Sequence, residues 1–212
     1  MAVAAIERID RDGVRGFLHR PDAGTGRSLV LTHGAGGDCD TPLLRAIADA
    51  FAAAGLIVLR FDLAFRQRKP SGPPSPSGAA ADRDSIKAAA AVVRSLAPGP
   101  LFVGGQSYGG RQGSMLAAEE PQLAAALLLT SYPLHPPGQP AQLRTAHFPK
   151  LRTRCVFVHG TADPFASSEE LATAVALIPG STQILSIEGA GHDLKRGRFD
   201  LKAMVAALLE GA

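Results

Sequence analysis

The chain has 212 residues, 46% of them hydrophobic, with a formal charge of +3 and only two cysteines. That length and apolar fraction suit one compact domain spanning residues 1–212 with a substantial core. They exclude a disulfide or zinc framework, since Cys39 and Cys155 are too few and too isolated, and a membrane-spanning helix, since the longest apolar run, Leu123 to Leu129, is of strand length.

The N-terminus, Met1-Ala2-Val3-Ala4-Ala5-Ile6-Glu7, lacks the charge order and long apolar stretch of a secretory signal. The expected compartment is therefore the cytoplasm. Val3 to Ile9 and Val14 to His19 flank Asp10-Arg11-Asp12-Gly13 and read as a hairpin. Ser28 to Thr32 is a buried strand that runs into the glycine loop His33-Gly34-Ala35-Gly36-Gly37. Asp40 or Thr41 then caps a helix with Pro42 in its first turn, and Gly55 ends it. Leu56 to Phe61 is the next strand. Pro70 to Gly78 is a low-complexity stretch read as a long mobile loop, and a helix follows over about Asp82 to Ala97.

Leu101 onward is an apolar strand that ends in Gly105-Gln106-Ser107-Tyr108-Gly109, with a helical pattern after it. Ala124 to Ser131 is another strand. Tyr132 to Lys150 is proline-rich and poor in pattern, with room for only a small cover. Arg154 to His159 is a strand. Ser167 and Glu170 fit a capping box that opens a helix stopping at Pro179-Gly180. Thr182 to Ile187 is the last strand, and a terminal helix spans Arg198 to Leu209 with Phe199, Leu201, Met204, Val205 and Leu208 on its apolar face. This alternation, with near-continuous apolar strands, predicts an α/β fold. It is a three-layer α/β/α sandwich on a mostly parallel sheet, without a large cap domain. Such sheets hold ligands at the carboxyl ends of their strands.

The pentapeptide around Ser107 has the G-x-S-x-G spacing of a nucleophile elbow, a tight strand-to-helix turn that lifts a serine clear of the sheet. A serine hydroxyl is a weak nucleophile and needs a base, which needs an orienting acid. Asp163, in His159-Gly160-Thr161-Ala162-Asp163-Pro164-Phe165, follows a strand and is the candidate acid; an Asx-turn is the plainer alternative for it. His192, in Glu188-Gly189-Ala190-Gly191-His192-Asp193, follows the last strand and is the candidate base. Two donors must hold the oxyanion: the N–H of Tyr108 and one from the glycine loop, Ala35 first and Gly36 as the fallback, with Gly36 also a candidate substrate contact. The glycine loop lacks the G-x-G-x-x-G spacing of a dinucleotide site, no Walker motif occurs, and no spacing predicts a metal site. No cofactor is therefore expected.

His33 and His159 each precede a glycine at a strand end and are read as structural, whereas His135 and His147 are read as lining the entrance. Cys155 reads as core and Cys39 as open to exposure. Arg66, Arg68, Arg111 and Arg144, three of which follow strand-end loops or the elbow, are candidates for attracting an anionic substrate, with a solvated surface as the alternative. The basic runs Arg66 to Lys69 and Lys195 to Arg198 are not interleaved with aromatics, so no nucleic-acid partner is expected.

With these motifs in place the chain resembles the alpha/beta-hydrolase superfamily over nearly its whole length, and its short build resembles the dienelactone-hydrolase-like branch. Ser107-Tyr108-Gly109-Gly110-Arg111, Ser131 to Gly138, His159 to Phe165 and Glu188 to Leu194 look closer still to a small group of bacterial hydrolases. That group is related to a testis-expressed hydrolase-like protein and to a chromatin-complex subunit. The resemblance implies Ser107 as nucleophile, Asp163 as acid and His192 as base. Dienelactone hydrolases carry cysteine at the elbow and this chain carries serine, so dienelactone does not carry over as substrate. The expected activity is hydrolysis of a carboxylic ester or related acyl bond in a small molecule. Acyl transfer and a non-catalytic interaction module are the alternatives, and a monomer and a homodimer both stay open.

Overall fold

The computed structural model describes residues 5–197 and 199–211. These residues form an eight-stranded sheet in the order β1-β2-β4-β3-β5-β6-β7-β8. The strands are β1 (Ala5–Arg11), β2 (Val14–Arg20), β3 (Ser28–Thr32), β4 (Ile57–Phe61), β5 (Leu101–Gln106), β6 (Ala126–Thr130), β7 (Arg154–Gly160) and β8 (Thr182–Ile187). From β4 to β8 every pairing is parallel; β1 and β2 form the antiparallel edge. The hairpin turn is tighter than the sequence predicts. Only Asp12 and Gly13 turn, with φ of 54° and 74°, the two left-handed positions a two-residue hairpin requires. Asp10 and Arg11 stay in the strand, while Val3 and Ala4 of the predicted strand lie outside the described residues.

The strands are apolar throughout because both faces are covered. Leu29 and Leu31 of β3, Phe102 of β5 and Val156 and Val158 of β7 pack under the helices α1 (Pro42–Ala53) and α6 (Leu201–Leu209). Their alternating neighbours Val30, Val103, Cys155 and Phe157 face the opposite core, under α3 (Ala79–Leu96), α4 (Tyr108–Glu119) and α5 (Ser168–Val175). The expected three-layer sandwich is therefore present. Within α1, Leu44, Ile47, Ala48 and Phe51 form the buried stripe. Gly55 ends the turn at φ 90°.

Several elements depart from the sequence reading, each for a local reason. Thr41 is the N-cap of α1 but makes no side-chain cap bond, and Asp40, the other candidate, pairs with Arg45 and Arg60. A short helix, α2 (Ala64–Arg68), lies in a stretch with no amphipathic period to announce it. The Pro70 to Gly78 loop closes with a 3₁₀ turn over Pro76–Gly78 that feeds α3 three residues early. Helix α5 ends at Val175, before the predicted stop at Pro179. Helix α6 starts at Leu201, where Asp200 accepts the N–H groups of Lys202 and Ala203; Arg198 lies outside the described residues.

The segment from Tyr132 to Lys150 does more than cover. Tyr132, Leu134 and Phe148 are fully buried, and the Tyr132 ring packs against Phe148 and Phe157 at 5.4 and 5.9 Å. The irregular chain is thereby stapled into the core. Cys39, whose exposure the sequence leaves open, is buried too, and its N–H donates to Asp62 Oδ1 at 2.9 Å.

At α5 the capping box is complete: Ser167 Oγ accepts from Glu170 N–H, and Glu170 accepts from Ser167 N–H. Ser167→Ala removes one of these bonds and should lower the unfolding free energy by about 1 kcal/mol in urea titration. An unchanged midpoint would mean that α5 is held by packing alone.

Candidate active site

The site begins with a backbone conformation. Ser107 sits between β5 and α4 with φ 50° and ψ −114°, a left-handed setting that a non-glycine residue adopts only under constraint. The turn is tight enough that a Cβ on Gly105 would lie 2.5 Å from Gly110 N, and one on Gly109 would lie 2.5 Å from His33 O. Gly105 and Gly109 are thus required by close approach, as the motif predicts. Gly110 is a third member, since a Cβ there would lie 2.6 Å from Gly105 O. Ser107 N–H donates to Thr130 O at 2.8 Å, which ties the elbow to the end of β6.

Two further strand-end loops reach the serine. Beyond β7, Asp163 is almost fully buried and its Oδ1 accepts Phe165 N–H at 2.8 Å. The Asx-turn therefore exists, and the same carboxylate also meets His192 Nδ1 at 2.8 and 3.0 Å. Beyond β8, the His192 loop is clamped to the Asp163 loop: Ala162 N–H donates to Ala190 O and Thr161 N–H to Ile187 O. His192 Nε2 lies 2.8 Å from Ser107 Oγ. A carboxylate only accepts, so Nδ1 carries the proton. In the neutral ring Nε2 then takes the hydrogen bond from the serine hydroxyl. Phe165 stacks on the imidazole at 4.0 Å between centroids and 29° between planes, and fixes its tilt. Sequence reasoning missed Phe165, which belongs to no periodic pattern.

The glycine loop after β3 lies against the elbow; a Cβ on Gly34 would touch Ser107 Cβ at 3.4 Å. Its carbonyls are pinned one by one. His33 Nδ1–H donates to Gly34 O at 2.8 Å, Gly37 N–H reaches the same oxygen at 3.2 Å, and Arg66 Nη2 donates to Ala35 O at 2.9 Å. In a trans peptide the N–H points opposite the C=O, so the N–H groups of Ala35 and Gly36 turn away from these anchors. Neither makes a hydrogen bond among the described residues. His33 Nε2 accepts Leu63 N–H at 3.1 Å, so the ring is neutral, and burial pushes its pKa below the usual range. Tyr108, whose N–H heads α4, is anchored through its hydroxyl, which donates to buried Asp82 at 2.7 Å.

These groups open on a cavity of about 900 Å³ that is lined by Ala35, Gly36, Ser107, Tyr108, Arg111, Arg144 and His192, among others. The other predicted contacts lie elsewhere. Arg66 is 4% exposed, and its guanidinium is used up on the carbonyls of Gly37, Ala35, Gly72 and Lys69. It holds the glycine loop and is not open to a substrate. Arg68 is exposed outside the cavity lining. His135 is buried away from the cavity, with Nδ1–H donating to Pro136 O and Nε2 facing Glu170. His147 is turned to Ser114 Oγ at 2.8 Å, also outside the lining. His33 makes the structural bonds expected of it. His159 is buried with neither ring nitrogen in a well-formed hydrogen bond. No cluster of three metal-ligating side chains occurs among the described residues, and no described helix is long and apolar enough to cross a membrane.

A family model described as an alpha/beta hydrolase domain matches residues 25–206. Among solved structures, the chain is similar to an alpha-beta serine hydrolase homologue from Coxiella burnetii. The TM-score is 0.74 at 17% identity, covering 98% of this chain and 99% of that one. It is also similar to a dienelactone hydrolase from Anabaena variabilis, with TM-score 0.74 at 19% identity over 97% and 95% of the two chains. A serine hydrolase without a lid from Xanthomonas campestris gives 0.71 at 18% identity over 98% and 94%. These likenesses concern the fold.

The histidines give the protein a defined acid response. His19, His33, His147 and His159 all fall below the ordinary 6.5, with burial the first cause in each, and His147 reaches about 4. Below 6.5 the unfolded chain takes up protons that the native state refuses, so stability is full above that pH and falls as the pH drops towards 4. The urea midpoint should decline across this window, and His147→Gln should flatten the decline. A midpoint independent of pH from 7 to 4.5 would contradict the neutral, buried state of these rings.

Proposed function

The chain belongs to the alpha/beta-hydrolase family, and from that premise we propose that it is a serine hydrolase cleaving a carboxylic ester through an acyl-enzyme. The observation that carries this reading is the unbroken path Ser107 Oγ to His192 Nε2 to Asp163, at 2.8 Å for each link, assembled from three separate strand ends. Ser107 Oγ attacks the ester carbonyl carbon as His192 takes its proton, and the imidazolium formed is stabilised by Asp163. The carbonyl oxygen, now an oxyanion, accepts from Tyr108 N–H and from Ala35 N–H, with Gly36 N–H beside it. His192 returns the proton to the departing alcohol, and water then repeats the sequence on the acyl-enzyme to release the acid. The cavity, at about 900 Å³, suits a small-molecule substrate.

The names of two structural relatives, serine hydrolases from Coxiella burnetii and Xanthomonas campestris, agree with a serine at the elbow. Ser107→Ala should cut turnover of a short p-nitrophenyl ester by more than about 10⁴-fold and abolish labelling by a fluorophosphonate. Persistent turnover would remove Ser107 from the chemistry. A wild-type protein that never labels would favour a non-catalytic binding module on the same fold.

Arg66 acts in this scheme as a positioning residue, because it sets the peptide plane that carries Gly36 N–H. Arg66→Lys keeps the charge but loses the fork that reaches several carbonyls at once. It should lower kcat roughly tenfold while KM for a neutral ester moves less than about threefold. A loss expressed wholly in KM would assign Arg66 to substrate binding instead.

A further inference from the structure

We propose that Arg111 and Arg144 form an anion subsite beside Ser107, and that the acyl group of the substrate carries a second carboxylate that binds there. The proposal rests on the acyl-transfer reading of Ser107 and adds the substrate class. Most of the cavity wall is backbone and apolar side chain: the glycine loop, Pro42, Leu43, Pro74, Met115 and Pro133. Four charged side chains interrupt it. Two of them, Asp193 and Lys195, pair with one another at 3.1 Å and are more than half exposed. The other two, Arg111 and Arg144, have no ion-pair partner among the described residues.

Their hydrogen-bonding capacity is nearly unspent. The Arg111 guanidinium makes no side-chain hydrogen bond among the described residues, and its Nε is buried with no partner. Arg144 uses one donor, Nη1 to Pro133 O at 3.3 Å. The two cations are also close enough to feel one another: burial first, and then the charge of Arg111, hold Arg144 below its ordinary value. The same Arg111 charge, after burial, helps to push His147 down. Two like charges half-withdrawn from water without a counterion repel one another, and the arrangement is relieved when an anion lies between them. Arg66 offers the contrast, since its more deeply buried guanidinium is engaged by four carbonyls.

Geometry selects the anion. Arg111 lies four residues beyond Ser107 and Tyr108 opens the helix, so the arginine stands on the elbow's side of α4, about 6 Å along its axis from the nucleophile. That separation fits an ester carbonyl and a carboxylate joined by a few carbons. The planar guanidinium takes a carboxylate through paired N–H···O bonds. A half-ester of a four- or five-carbon dicarboxylic acid places its ester at Ser107 and its free carboxylate between Arg111 and Arg144.

The experiment compares mono-p-nitrophenyl glutarate with p-nitrophenyl pentanoate, which has the same acyl length and no second charge. In the full-length protein at low salt, kcat/KM should favour the glutarate half-ester at least about tenfold, and added salt should shrink the ratio. Arg111→Gln and Arg144→Gln should each cut that ratio by about tenfold, with Arg111→Lys restoring part of it. Equal turnover of the two esters by the wild type overturns the subsite and leaves the serine hydrolase reading standing. A preference that survives both glutamine substitutions overturns the assignment to these residues. Inorganic phosphate is the second probe: protection of Ser107 from fluorophosphonate by phosphate but not by glutarate would give the subsite to a phosphoryl group and overturn the carboxylate. If neither ester turns over, calorimetric binding of glutarate decides. Binding lost in the double glutamine variant keeps the subsite and sinks the reaction, whereas no binding sinks the subsite.

Discussion

The structure depends on one close backbone contact. The end of β5 and the first turn of α4 approach until only hydrogens fit at Gly105, Gly109 and Gly110, while His33 O presses on the same turn from the neighbouring strand. Because β5 lies centrally in the sheet between β3 and β6, this contact fixes where the glycine loop, the serine and the end of β6 meet. Ser107 is held at φ 50° by that approach, a conformation that costs of order 1–3 kcal/mol and persists because the surrounding packing determines it. In the proposed function the strain has a chemical use, since it keeps the hydroxyl standing off the sheet with its direction settled before any substrate arrives.

Around that contact the polar groups work as braces. His33, Arg66 and Asp82 are buried, and each spends at least one hydrogen bond on the glycine loop or on Tyr108. Their value lies in preorganisation: amide dipoles already aimed need no rearrangement when charge develops on a substrate. The division between braces and free groups is sharp among the arginines. Arg66 is saturated by carbonyls, whereas Arg111 and Arg144 keep most of their donors.

Much of this was legible in the sequence because the relevant signals are local. Gly105-Gln106-Ser107-Tyr108-Gly109 announces its own turn, and the strands β3 and β8 are bounded as the apolar patterning predicts. Asp163 and His192 were readable from their places after successive strands, although either alone has an ordinary explanation, and in Asp163 the ordinary Asx-turn coexists with the contact to histidine. What could not be read depends on the third dimension. Nothing in the neighbours of Arg66 says that four carbonyls converge on it. Nothing near His135 says that it turns towards Glu170 and away from the cavity. The stack of Phe165 on His192 and the anchoring of Tyr108 by Asp82 join residues 27 and 26 positions apart, with no periodicity to connect them. Helix α2 was missed because five residues are too few to show an amphipathic period.

The two thiols lie in different parts of the molecule, Cys39 beside Asp62 near the glycine loop and Cys155 on β7, facing the core. Burial raises both pKa values, that of Cys155 to about 12, so neither forms a reactive thiolate while the fold is closed. Alkylating reagents can therefore attack only during transient openings. The relative speed at which the two sulfurs are consumed becomes a native chronometer, timing how often the loop after β3 breathes compared with the sheet at β7.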